Sequence, residues 1–178
     1  MEKITYEQYE QIQGEMIIDF LKNASSRERH QLVLGWNWDS NLSVLKWIAN
    51  DSHTDKATAL LMYWATAPRY QKQFANRDEA LKECTWGINE FDLVEETESL
   101  FLSGFYQNHQ FAFDPSNDRG INWTKEYLDT PIKRKIPKIM FKKLRGEKVQ
   151  YTESGESEGW EEGIPPYIKK KMCEFELV

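Results

Sequence analysis

Residues 35–70 read GWNWDSNLSVLKWIANDSHTDKATALLMYWATAPRY, and this stretch decides the fold. It holds four of the chain's seven Trp and two segments whose apolar residues recur at helical spacing. Asn37-Trp38-Asp39 reads as a loop in which Asn37 satisfies backbone amides. Asp39 or Ser40 is suited to cap a helix carrying Leu42, Leu45, Trp47 and Ile48, so Asp39→Ala is expected to cost about 1 kcal/mol. Asp51 to Asp55 is a polar break, and Thr54 or Asp55 caps the next helix. There Ala57, Ala59, Leu60, Leu61, Tyr63, Trp64 and Ala65 are apolar nearly all round, the pattern of a central helix. Pro68 ends that helix and opens another, with Tyr70 and Phe74 facing inward.

Toward the N-terminus, Thr5 and Gln8 form a capping box ahead of Tyr6, Tyr9, Ile12, Met16, Ile17 and Phe20, a helix ending near Asn23. Ser25 or Ser26 caps a second, which stops at Gly35. Toward the C-terminus, Asn76 or Asp78 starts a helix with Ala80, Leu81 and Cys84. After Gly87 or Asn89, a further helix is predicted over 92–106 through Val94, Thr97, Leu100, Phe101 and Phe105. Its start holds Glu95, Glu96 and Glu98, where the helix dipole stabilises each carboxylate by roughly 0.3–1 kcal/mol. Asn122 is expected to cap a short helix through Tyr127. Residues 131–145 read as a basic amphipathic helix divided at Pro137, with Ile132, Ile136, Ile139, Met140 and Leu144 on one face, packing on an acidic body. From Gly146 the composition shifts: a short strand at 149–152, a Glu/Ser/Gly-rich acidic loop at 153–163, and alternation over 173–177 that suggests a C-terminal β-hairpin. The expected architecture is mainly α, a single-domain helical array or bundle over 1–145 with an extension at 146–178 packed on it.

Composition narrows the functional classes. An apolar content of 40%, with 13% aromatic, excludes disorder as the overall state. No apolar run approaches the roughly 18 residues of a membrane span, and Met1-Glu2-Lys3-Ile4-Thr5 lacks a secretory apolar core, so a cytoplasmic location and no membrane partner are expected. Cys84 and Cys173 suit reduced thiols, not a disulfide framework. Residues 1–130 hold 12 Lys+Arg against 21 Asp+Glu. That acidic balance disfavours nucleic-acid binding, which needs a basic face, and suits a basic partner or simply solubility.

Catalytic patterns are sparse. There is no Gly-x-Gly-x-x-Gly and no phosphate-binding loop. His53-Thr54-Asp55 precedes a helix and can cap it or ligate a metal; capping is the reading adopted, and neither metal nor cofactor is assigned. Asn37-Trp38-Asp39, Trp47-Ile48, Thr58-Ala59-Leu60, Tyr63-Trp64, and Pro68 with Tyr70 together resemble the bacterial domain of unknown function 4274 family, over about residues 30–82. Members commonly carry a Cys-Asp pair where His53-Thr54-Asp55 stands here. The resemblance implies a bacterial cytosolic helical protein without an established reaction, of a kind often partnered with toxins.

The expected function is therefore protein binding: an immunity or antitoxin-like protein that neutralises a basic toxin such as a nuclease. Trp86, Glu90, Glu95, Glu96 and Glu98 are the candidate partner-binding residues, since aromatics anchor interfaces and charge speeds encounter. The alternative is a small-molecule enzyme with a pocket near Asn37, Asp39 and His53, joined by Asp55. A third reading makes the 131–145 segment a basic adaptor.

Overall fold

The computed structural model describes residues 2–40, 42–150 and 159–177. Helices dominate, and several begin at a side-chain cap. Strand β1 (Glu2–Ile4) leads into α1 (Tyr6–Asn23), opened by the expected capping box: Thr5 Oγ1 accepts from the Gln8 amide at 3.2 Å, and the Thr5 amide donates to Gln8 Oε1 at 2.9 Å. Ser25 and Glu28 repeat the device for α2 (Ser26–Gly35). Helix α3 runs Ser43–Asn50, so Leu42 precedes it, and the expected start at Asp39 or Ser40 is corrected by one turn. Asn37 explains the shift. Its carbonyl accepts from the Ser40 amide at 3.0 Å and its side chain from the Asp39 amide at 3.1 Å, closing a turn that holds Asp39 and Ser40 out of helix.

Two compact units follow from the packing: Met1–Trp47 with Val149–Val178, and Ile48–Lys148. In the first, α1 packs on α8 (Pro166–Met172) and on strand β2 (Phe175–Leu177). Leu21, Leu32, Leu45, Ile168 and Met172 are buried there, each such side chain stabilising by roughly 1.5–3 kcal/mol. The C-terminal hairpin is not formed. Strand β2 pairs in parallel with β1, Glu2 opposite Phe175 and Ile4 opposite Leu177. Of its expected partner at 149–152, Tyr151 and Thr152 lie outside the described residues, as does the acidic loop from Glu153 to Glu158. Gly163 is required where it stands: at φ +75°, a Cβ on it would lie 2.2 Å from the Leu32 carbonyl oxygen.

In the second unit, α4 (Lys56–Ala65) is central as predicted, with every residue from Ala57 to Trp64 buried. Asp55 caps it, accepting from the Ala57 amide at 2.8 Å, and also accepts from the Gln110 amide. After α5 (Pro68–Gln71) and α6 (Arg77–Glu83, capped by Asn76), a 3₁₀ turn at Thr85–Gly87 runs directly into α7 (Ile88–Leu102). Helix α7 packs on α4, α5 and α6. It starts one turn before the expected Asp92, so Glu95, Glu96 and Glu98 stand beyond its first turn and the helix-dipole account of them is withdrawn.

The basic helix expected over 131–145 is also corrected. Only Lys138–Phe141 makes a 3₁₀ turn; Pro137 lacks an amide, and the Lys133 and Arg134 amides donate to the Lys72 carbonyl at 2.9 and 3.2 Å. Ile136 and Met140 are buried while Ile132 and Ile139 are exposed, a division a single helical face does not make. The segment is a strap. It lies against α5 by those bonds and against α4 through the Trp64 indole, which donates to the Met140 carbonyl at 2.8 Å. Phe111 and Phe113 make isolated bridges to Glu147 and Leu144. Asn122 starts only a 3₁₀ turn, Trp123–Lys125. Among the described residues, no helix is long and apolar enough to cross a membrane.

Candidate functional site

Trp86 stands at the corner where α6 gives way to α7, in the second unit, and its exposure of 77% is the largest among the exposed bulky apolar side chains of the described residues. Local geometry puts it there. Asn76 caps α6, whose Ala80 and Cys84 pack with Phe74 and Phe91 in a small apolar cluster, and Tyr70 and Ile88 close over that cluster. Tyr70 rests edge-on against Phe74 at 6.1 Å, and its hydroxyl lies 3.7 Å from Cys84 Sγ. The hydrogen bond to Cys84, with burial, raises the Tyr70 hydroxyl above its ordinary pKa. Trp86 stacks on Tyr70, centroids 6.3 Å apart and planes at 30°, leaving its other face to solvent.

Tyr127 completes the row from a distant part of the sequence, its ring 5.4 Å from that of Tyr70 and half exposed. Its backbone takes φ +52°, a left-handed conformation that costs a non-glycine residue roughly 1–2 kcal/mol. Trp86, Tyr70 and Tyr127 thus form an aromatic ladder with an outer ring open to solvent. Strain held in place by surrounding structure is a recurring mark of functional sites. Nothing in the sequence near Tyr127 signals this. Tyr70, expected as a core residue, is half-buried as the ladder's middle rung.

The carboxylates proposed to ring Trp86 divide into two sets. Glu95 and Glu98 are held inside the fold: Lys72, buried to 3% side-chain exposure, donates to both at 2.8 Å. Glu98 also accepts from the Tyr63 hydroxyl at 2.6 Å, and Arg134 of the strap pairs with Glu95 while lying 4.9 Å over the Phe91 ring. Burial first, then the Glu98 hydrogen bond, pushes the Tyr63 hydroxyl far up, so it remains a donor. Asp92 takes a two-point bond from Arg77, at 2.7 and 2.9 Å, and Glu79 takes Lys133. Glu90 and Glu96 are half-buried with no ion pair among the described residues, and one Glu90 carboxylate oxygen is shielded from water without a hydrogen-bond partner. Glu96 shares an open groove with Arg77, Phe91, Asp92 and Arg134.

Charge separates by unit and not at residue 130. Residues 48–148 hold 15 Lys+Arg and 15 Asp+Glu, whereas the first unit holds 8 against 14 and carries the whole net charge of −6. The strap's cations neutralise the acidic α6–α7 region within its own unit.

The motif residues do local work. Asn37, besides closing its turn, donates from Nδ2 to Glu162 Oε1 at 3.1 Å; Trp38 is half-buried in the same turn and Asp39 is exposed. In the second unit His53 is exposed, its Nδ1 2.9 Å from Asp51, and Asp55 is the helix cap. Cys84 is buried as expected of an inert thiol, but Cys173 is exposed; both are free. Gly155-Glu156-Ser157-Glu158-Gly159 has the Gly-x-Ser-x-Gly spacing, which signals a nucleophile only on a strand-to-helix turn, and residues 155–158 lie outside the described residues.

The class defined so far is a mainly helical protein presenting an aromatic ladder on one unit. Residues 24–102 match the family model described as domain of unknown function (DUF4274), and this stretch belongs to that family, as the Trp and Asp spacing implied. The match spans α2 through α7, further in both directions than the motif itself. No curated protein and no solved structure matches the chain.

Proposed function

We propose that the protein acts by binding another protein, as an immunity or antitoxin-like protein that neutralises a toxin domain, with Trp86 as the anchor. The observation that carries this reading is the open face of Trp86, stacked on a Tyr70 that is itself fixed by Phe74, Cys84 and Tyr127. A large ring held rigid before binding loses little entropy on docking, and such rings dominate interface energies. The charge balance of the second unit favours an aromatic-led contact over mimicry of a phosphate backbone. The first unit's charge of −6 favours a basic partner, by speeding encounter.

The test is capture of partners from the native host by the tagged full chain and by Trp86→Ala, with circular dichroism confirming that the variant is folded. The reading predicts one basic protein at near-equal amount with the wild type and its loss with Trp86→Ala. Equal retention by both would refute it.

A further inference from the structure

We infer that the outer side of the strap docks on a membrane leaflet rich in anionic lipid, a partner distinct from the one that Trp86 anchors. Residues 131–148 hold eight Lys+Arg against Glu147 alone, whereas residues 48–130 hold seven against fourteen acids, so the neutral second unit is polarised along its sequence. Lys133, Arg134 and Lys143 pair with Glu79, Glu95 and Asp114. The side chains of Lys135, Lys138, Lys142, Arg145 and Lys148 are exposed, with no ion pair among the described residues. A cluster of about four to eight such cations is what holds a basic segment to anionic lipid.

The strap's inner side is fixed by its own bonds. Ile136 and Met140 are buried, the Arg134 guanidinium donates to the Phe74 and Gln71 carbonyls at 2.7 and 3.0 Å, and Leu144 exchanges backbone hydrogen bonds with Phe113 at 2.8 and 3.1 Å. In the 3₁₀ turn Lys138–Phe141, side chains three apart lie one above the other. Lys138 and Phe141 therefore share a side turned away from Met140, and Ile139 takes the remaining one.

Apolar groups among the cations identify lipid as the polyanion. Ile139 and Phe141 are exposed at 36% and 40%, between Lys138 and Lys142, and the Phe141 ring is held edge-on against Trp64 at 5.0 Å. An exposed isoleucine gains from burial at the boundary of headgroups and acyl chains, and gains nothing comparable from a phosphate backbone or the face of a base. Four of the five unpaired cations are lysine, which lacks the planar fork that reads phosphates and bases. The expectation of no membrane partner rests on the lack of a spanning run, and contact with a lipid surface needs none.

The probes are vesicles of phosphatidylcholine alone, vesicles of phosphatidylcholine with an equal part of phosphatidylglycerol, and a labelled thymidine oligonucleotide, each mixed with the full chain. Vesicle binding is read by co-sedimentation and oligonucleotide binding by fluorescence anisotropy, with circular dichroism confirming that each variant folds. The anionic vesicles are expected to bind the protein and to release it at high salt, while the neutral ones leave it in solution. A lysine near an anionic leaflet is worth about five-fold in partitioning, so Lys138→Gln with Lys142→Gln should weaken binding about ten- to thirty-fold. Ile139→Asn should weaken it about two- to five-fold. Lys170→Gln with Lys171→Gln, exposed on α8, removes the same charge elsewhere and should leave most of the binding. Equal binding to both vesicle types, equal loss from the two lysine pairs, or indifference to Ile139→Asn would overturn the inference. Failure to bind either vesicle would also overturn it, and binding of the oligonucleotide in that case would assign the strap to nucleic acid.

Discussion

Replacing Lys72 by Met tests whether Glu95 and Glu98 belong to the fold. The Lys72 side chain is 3% exposed and its ammonium contacts two carboxylates at 2.8 Å, those of Glu98 (13% exposed) and Glu95 (35% exposed). Methionine preserves the stem's volume, so the loss is almost wholly electrostatic. Each contact is worth about 4 kcal/mol of gross attraction in a partly screened site, offset by several kcal/mol to desolvate the ammonium. What decides the sign is the remainder. Glu98 keeps only the Tyr63 hydroxyl, Glu95 keeps Arg134, and the two carboxylates now face one another without the cation between them. Breaking a buried pair by removing one partner costs roughly 3–5 kcal/mol; with Glu95 a third exposed, about 3 kcal/mol is expected. Urea denaturation at pH 7 measures it. A loss below about 0.5 kcal/mol would refute the assignment and return Glu95 and Glu98 to the surface.

Three further outcomes are expected. Asp55→Ala removes both the cap of α4 and the acceptor for the Gln110 amide at a residue 1% exposed, and should destabilise by about 2–4 kcal/mol in the same assay. Gly163→Ala forces a Cβ to within 2.2 Å of the Leu32 carbonyl at φ +75°, where backbone must move; a loss of at least about 2 kcal/mol is expected, read as a lower thermal midpoint. The Ser116 hydroxyl and amide, with Lys143, hold the Asp114 carboxyl below its ordinary pKa. Its contribution is therefore present above the unfolded carboxylate value and lost as pH falls through the lower folded one. Asp114→Asn should lose less stability than the wild type over that acid interval, read by denaturation between pH 5 and 2, with an effect under about 1 kcal/mol.

How much of this was legible in the sequence depends on the range of the forces involved. Thr5 with Gln8, Ser25 with Glu28, Asp55 and Asn76 act within four residues, and each caps the helix it was expected to cap. The all-apolar face of 57–65 marked the central helix for the same reason. The 131–145 segment failed because its amides bond to Lys72, some sixty residues away, and periodicity carries no trace of that. Strand β2 was recognisable but its partner was not, since alternation gives a face and not a neighbour. Helix α8 has only Pro165-Pro166 to announce it, and a proline pair suits a turn as readily as a first helical turn.

At the candidate site the mixture is similar. Trp86 drew attention as a large ring among glutamates, but which glutamates are free depends on Lys72, Arg134 and Lys133, brought in by the strap and α5. Tyr127 was out of reach because both its backbone conformation and its contact with Tyr70 are tertiary.

The most direct test of protein neutralisation through Trp86 is growth of host cells expressing the captured partner alone, with this protein, or with Trp86→Ala at equal level. Arrest by the partner, relieved by the wild type and not by the folded variant, is the predicted result. A partner without effect on growth, or equal protection by both forms, would contradict it.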